Sequence, residues 1–247
     1  MPGSTWIHVH LPKALHNWRE LAREIAIIVV GVFIALFFEQ LVERWQWGRK
    51  IDAAEAGMRH ELLWDDGPQF YQRAAMHPCV VAQLDKIRSA VDSDRSRTEV
   101  WTAIDGYWMF PVSYDSIAHE AAATSDVSSH IPQSTLEPYV LAYAVMQNAN
   151  ESGMAEAAEG GRLRALRRSG GRLSDDEARQ VLNAVEQLRL DDRLMWNTAQ
   201  WTLPQLKKIG HLDTRTTHFM MLAARRHYGR RVRDLPSNFP AGLSRFD

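Results

Sequence analysis

Fourteen apolar or small residues, Ile25 to Phe38, stand between Glu24 and Glu39 in the segment EIAIIVVGVFIALFFEQ. As a helix they span about 21 Å, short of a hydrocarbon core of roughly 30 Å. Leu21, Ala22, Leu41 and Val42 extend the compatible stretch to about 33 Å and bring Glu24 and Glu39 near the two interfaces, where charge is tolerated. Eleven of the fourteen are Ile, Val, Leu or Phe, which favours insertion by roughly 3 to 7 kcal/mol. Trp18 precedes the stretch, and Trp45 and Trp47 follow it. Trp18 and Trp45 would lie about 40 Å apart on one helix, the spacing of an aromatic belt across a bilayer with its headgroups. Two competitors are a soluble core helix and a cleaved signal peptide. The first gives no reason for the tryptophans. The second needs small residues at a cleavage site, where the chain has Phe37, Phe38, Glu39 and Gln40. The pattern therefore predicts one uncleaved membrane span, and no later stretch is apolar enough to be another.

Helical periodicity dominates the remainder. Residues 40–64 should continue the helix into water, with Leu41, Trp45, Ala53, Met58, Leu62 and Leu63 apolar. Asp65-Asp66-Gly67-Pro68 reads as a stop and restart, with Asp66 near a cap and Pro68 in a first turn. CVVAQLDKIRSAV puts Val80, Leu84, Ile87 and Val91 on one face. YDSIAHEAAATSDVSSH and LEPYVLAYAVMQNANE are two further helices joined around Ile131-Pro132, and GGRLRALRRSGG reads as a short basic helix or loop between glycine pairs. In LSDDEARQVLNAVEQLRLDDRLMWNTAQWTL, Ser174 and Glu177 form a capping box, and Leu182, Val185, Leu188 and Met195 carry the apolar side. Pro204 should kink or end that helix. A last helix runs from about Thr214 to Gly229. EVWTAIDGYWMFPV, with its β-branched and aromatic residues, is the one segment with strand-like content.

The span carries a pattern. Glu24, Ile28, Gly31, Ala35, Glu39 and Val42 recur at steps of four and three and share one stripe. Gly31 and Ala35 form a small-xxx-small pair that lets two helix backbones approach, which predicts packing of the span against itself or another membrane subunit. Chance occurrence of small residues four apart is the competing reading. No polar group lies at mid-depth, so no ion path is implied. Ahead of the span, Leu15, Trp18, Leu21 and Ala22 form an apolar face beside Lys13, Arg19 and Arg23, which suits the headgroup layer. His8-x-His10 could hold a metal in a strand, but two ligands make a weak site.

The segments IHVHLPKALHNWRE, EIAIIVVGVFIALFFEQLVE and WQWGRK resemble the start of a family of bacterial single-span membrane proteins with a histidine-rich leader and an E-(apolar)-G-(apolar)-AL-x-x-EQ span. CVVAQLDKIRSAV and YVLAYAVMQNANE resemble weaker segments of the same family. The close likeness covers about the first fifty residues. The family has no assigned activity, so the resemblance implies topology and no chemistry. Gly67-Pro68 departs from its pattern and is expected to break a helix that is continuous elsewhere.

Composition narrows the rest. The 247 residues are 45% hydrophobic and 24% charged, which argues for a folded chain. A net charge of −1 gives no field for nucleic acid, and a lone Cys79 excludes an intrachain disulfide or a cysteine zinc cluster. His119-Glu120 begins like a zincin helix, but position 123 is Ala123. Ser116, Ser128 and Ser129 lack a nucleophile elbow, and His119 and His130 lack a third ligand. The pairs Asp175-Asp176 and Asp191-Asp192 read as cap or solvated surface residues. Two basic clusters offer contact with anionic headgroups or an acidic partner: Arg162, Arg164, Arg167, Arg168 and Arg172; and Arg225, Arg226, Arg230, Arg231 and Arg233. The competing reading is an ordinary charged surface balanced by acids.

The expected architecture is all-α: a single N-terminal transmembrane helix continuing into a helical-bundle soluble domain. Its parts are an interfacial leader (1–23), the span (24–42), a helical stalk (43–66), a helical domain (67–234) and an irregular tail (235–247). The expected function is a non-enzymatic accessory or scaffold protein of a bacterial inner membrane, associating with itself or a larger membrane complex. It calls for no cofactor, metal or nucleic acid. Charges flanking the span barely discriminate orientation; a short uncleaved leader favours a periplasmic domain. The alternative is a sensor or small-molecule binder with a pocket lined by Trp101, Trp108, Trp196 or Trp201. An enzyme would need a site assembled from distant residues, and no nucleophile–base pair suggests one.

Overall fold

The computed structural model describes residues 18–93, 96–109, 112–167, 171–229 and 232. It is all-α, and among the described residues there is no strand, only an isolated bridge between Ser96 and Arg172. The helices are α1 (Trp18–His60), a π-helical turn (Glu61–Asp66), α2 (Gly67–Ser93), α3 (Arg97–Asp105), α4 (Ile117–Thr124), a 3-10 turn (Val127–His130), α5 (Gln133–Ala165), α6 (Asp175–Ile209) and α7 (Thr214–Tyr228). Two compact units divide the chain, residues 1–50 and residues 51–247.

In the first unit α1 exposes its apolar residues on every side. Ile25, Phe33 and Phe38 are 51%, 68% and 60% exposed, so none of them is a core residue of the chain. This is the one described helix long and apolar enough to cross a membrane, with a mean hydropathy of 2.6 over its most apolar window.

The second unit is a helical bundle. α2 is its central helix: residues 66–76 are buried on all sides, and α6, α7 and α3 pack around it. The face expected in CVVAQLDKIRSAV is present, with Val80, Leu84, Ile87 and Val91 at most 1% exposed. α6 also lies along α5, contributing Val181, Val185, Leu188, Met195, Ala199 and Leu203 to the core. Leu182, expected on that side, is half-buried at its edge. The capping box forms: Ser174 Oγ accepts from Glu177 N–H, and Glu177 accepts from Ser174 N–H. Arg97 at the start of α3 then bonds Glu177 at 2.6 Å, which ties α3 to the α6 N-terminus.

Four expectations are corrected. First, Gly67-Pro68 does not stop the helix, and Asp66 is no cap; the helix runs from Trp18 to Ser93. Pro68 has no N–H, and in a straight α-helix its ring would meet the carbonyl of Trp64. The chain widens into a π turn instead, where Gly67 N–H bonds the Leu62 carbonyl. The Leu63 carbonyl, left without a helical donor, accepts from Asp213 N–H at 2.8 Å in the segment before α7. Glycine is required at 67 because a Cβ would meet the Leu212 side chain and come within 2.7 Å of the Leu62 carbonyl. Second, the described residues of EVWTAIDGYWMFPV form no strand; its first half is α3, which buries Val100, Trp101 and Ile104. Third, Gly160-Gly161 lies inside α5, where Gly160 is buried beside the Tyr107 ring. Fourth, of the two outcomes expected at Pro204, a kink or an end, the end does not occur, and α6 continues to Ile209.

Candidate functional site

Asp191 and Asp192, expected at the surface, are 4% and 2% exposed. They sit on the apolar side of α6 between Leu188 and Met195, and they open two different environments.

Asp192 joins a buried ionic cluster where α2, α5 and α6 meet. Arg73 of α2 donates to Glu156 Oε2 of α5 at 2.7 Å, and its same nitrogen lies 3.6 Å from Asp192 Oδ1. Asp192 Oδ2 is 2.6 Å from His77 Nδ1, and Tyr107 donates to Glu156 Oε1 at 3.2 Å. The Arg73 and Glu156 side chains are each 1% exposed. Burial pushes the Arg73 guanidinium down, but Glu156 and Asp192 outweigh it and hold its pKa above the ordinary value. Burial pushes the Glu156 carboxyl up, against the pull of Arg73. His77, stacked on Trp196 with ring centroids 4.8 Å apart, is 22% exposed and is the cluster's nearest point to solvent. Arg73 meets both acids through one nitrogen, while its buried Nε and Nη1 have no hydrogen-bond partner; the cluster links side chains of three helices and suits fixing their register.

The π turn carries a second acidic pair. Glu61 Oε2 accepts from Ala118 N–H at 2.9 Å, placing an anion at the α4 N-terminus. Asp66 Oδ1 accepts from Asp115 N–H at 3.4 Å. Burial, reinforced by Glu61, pushes the Asp66 carboxyl up to about 8. The extended segment between, residues 112–116, is held by two amide side chains. Gln69 exchanges two bonds with Ser113, and Asn150 exchanges two with Tyr114. A 530 Å³ cleft beside it is lined by His119, stacked on Tyr143, and by Ser116 and Glu120. Ser116 donates to Glu120 rather than to His119.

Asp191 lines a cleft of 820 Å³ between α5 and α6. Ala155, Ala158, Ala165 and Leu166 line one side; Gln180, Asn183, Ala184 and Gln187 line the other. Glu159 and Arg162, paired at 3.1 Å, are its other charged groups.

Glu24, Ile28, Gly31, Ala35 and Glu39 all lie exposed on α1, and a Cβ added at Gly31 would meet nothing within 4 Å. Trp18 and Trp45 are exposed, and Trp47 is half-buried. Arg49 lies over the Trp45 ring and Lys50 over the Trp47 ring, at 5.1 and 4.6 Å. The first basic cluster is dispersed onto the fold. Arg162 pairs with Glu159, Arg164 donates to the Tyr107 carbonyl at 3.2 Å, Arg167 pairs with Asp105 at 3.2 Å, and Arg172 sits in the bridge to Ser96. In the second, Arg225 donates to the Val232 carbonyl at 3.3 Å and Arg226 is exposed. Arg168, Arg230, Arg231, Arg233, the His8-x-His10 pair, Lys13, the remaining leader and the tail lie outside the described residues. Of the expected tryptophans, Trp101 is buried, Trp108 and Trp196 are half-buried, and Trp201 is 73% exposed. Neither cleft above is lined by any of them. Among the described residues no group of three His, Cys, Asp or Glu could hold a metal ion.

Compared with protein-family models, curated proteins and solved structures, the chain matches none.

Proposed function

We propose that the chain is a membrane-anchored, non-enzymatic accessory or scaffold protein, with α1 crossing a bacterial inner membrane once and the helical domain in the periplasm. The observation that carries this reading is the full exposure of the apolar part of α1. Surface of that extent is costly in water and favourable in lipid. Within lipid the hydrophobic effect no longer drives helix association, and close backbone packing does. The stripe Glu24–Ile28–Gly31–Ala35–Glu39 supplies a face on which a second helix can approach, because nothing occupies the space over Gly31. The partner is a second copy of this chain or a subunit of a larger membrane complex. The buried Arg73–Glu156–Asp192 cluster, which links α2, α5 and α6, supports a domain built to hold one shape. The test replaces Gly31 and Ala35 with leucine and isolates the protein from native membranes in a mild detergent. The reading expects wild type in an assembly of fixed stoichiometry and the variant stripped of it. An unchanged assembly removes the stripe as the interface.

A further inference from the structure

Asp191 is the group whose surroundings in the α5/α6 cleft are unfinished. Its Oδ1 accepts from Gln187 Nε2 at 2.9 Å, while its buried Oδ2 has no hydrogen-bond partner. Neighbouring cations are engaged elsewhere: Arg73 and His77 with Asp192 and Glu156, and Arg162 with Glu159. A carboxylate that is 4% exposed and half-satisfied is strongly unfavourable unless a counter-charge completes it. The volume of 820 Å³ falls in the range of small-molecule pockets. α6 returns antiparallel to α5 across a short connection. Asp191 therefore stands at the Ala155 end of the cleft and Leu166 at the other. Eleven residues of helix give it a length of about 16 Å.

We infer that the α5/α6 cleft binds an organic cation with a primary ammonium head and an aliphatic body, the ammonium at the Asp191 carboxylate and the body along Ala155, Ala158, Ala184 and Leu166. The charges favour this class. Asp191 and Glu159 against Arg162 leave the cleft one negative charge in excess, which repels a carboxylate or phosphate ligand. Burial, with Glu159 adding to it, already holds the Asp191 carboxyl above its ordinary range, and an ammonium would relieve both effects. Alanines along one wall leave room for methylene groups without offering competing polar partners. This inference does not depend on the anchoring reading.

The test uses the full chain in nanodiscs of phosphatidylcholine, titrated calorimetrically with hexane-1-amine. Hexan-1-ol and hexanoate are controls, and empty nanodiscs are the blank. The amine should bind saturably at one site, at least tenfold more tightly than the alcohol, with no binding of hexanoate. Asp191→Asn keeps the acceptor for Gln187 and should weaken the amine at least tenfold. Ala158→Trp, at an exposed position, should fill the cleft and abolish binding while helical circular dichroism stays unchanged. Amine binding no tighter than alcohol, heats equal to the empty-nanodisc blank, or full affinity in both variants would each overturn the inference. The wild-type comparison of amine with alcohol decides even where a variant does not fold.

Discussion

Arg73→Met removes the one guanidinium of the buried cluster while keeping a long side chain at this buried position of α2. Glu156 and Asp192, at 1% and 2% exposure, would then face each other without a cation. Glu156 would keep only the 3.2 Å bond from Tyr107, and Asp192 only its contact with His77. Removing one partner of a buried pair costs about 3 to 5 kcal/mol at neutral pH, because the remaining charge stays desolvated. For a domain near 200 residues, each kcal/mol lowers Tm by roughly 2 to 4 °C, so a drop on the order of 6 to 20 °C is expected. The assay is urea and thermal unfolding of the full chain in micelles, followed by circular dichroism. Two further arms make the result specific. Replacing the whole cluster by Arg73→Met, Glu156→Leu and Asp192→Leu should cost less than Arg73→Met alone, since no buried charge is left. The single variant's deficit should also shrink as pH falls. Glu156 has a folded pKa that burial raises above its unfolded one, so its stability is fully present below the unfolded pKa and lost as pH rises through the folded one. Arg73→Met within about 1 kcal/mol of wild type at pH 7, or a triple variant worse than the single, would refute the ion-cluster account.

Two other substitutions test the π turn. Asp66, with its carboxyl pushed up to about 8 by burial, contributes stability below its unfolded pKa and loses it as pH rises from about 4 to 8. Asp66→Asn should flatten that dependence and be the more stable form at pH 9, by at most about 6 kcal/mol on the basis of 1.36 kcal/mol per pKa unit; parallel denaturation curves at pH 5 and 9 check it. Gly67→Ala should destabilise by about 1 to 3 kcal/mol through overpacking against Leu212 and the Leu62 carbonyl, whereas Gly31→Ala, with open space over it, should leave the domain's unfolding midpoint unchanged.

Where local chemistry decides, the chain was legible. The capping box at Ser174 and Glu177 and the start of α7 at Thr214 are satisfied by near neighbours, and both were visible as spacing. The apolar face Val80–Leu84–Ile87–Val91 was visible for the same reason. Where partners far along the chain decide, legibility failed. The helix crosses Gly67-Pro68 because Asp213 supplies a donor to the Leu63 carbonyl 150 positions away. α5 crosses Gly160 where the Tyr107 ring, far back along the chain, packs beside it. The buried charges did leave a trace. Glu156 falls on the α5 stripe Met146–Ala149–Gly153–Gly160–Leu163, and Asp192 on the α6 stripe Val185–Leu188–Met195–Ala199. An acid on a helix's apolar stripe predicts a buried cation across the interface, and Arg73 lies within the longest fully buried run of α2. Adjacent acids on α6 hid this, because charge pairs on helices are ordinarily solvated. The cleft at Asp191 was not legible at all, since it depends on how α5 and α6 are spaced.

The central claim is that α1 resides in a bilayer, and it is tested most directly by alkaline carbonate extraction of membranes from cells expressing the full chain. The account predicts that the protein stays in the membrane pellet, and that Ile28→Asp with Phe33→Asp, at two exposed apolar positions near the middle of α1, releases it. Recovery of the wild-type chain in the carbonate supernatant would contradict the anchoring of α1 and, with it, lateral association through Gly31 and Ala35.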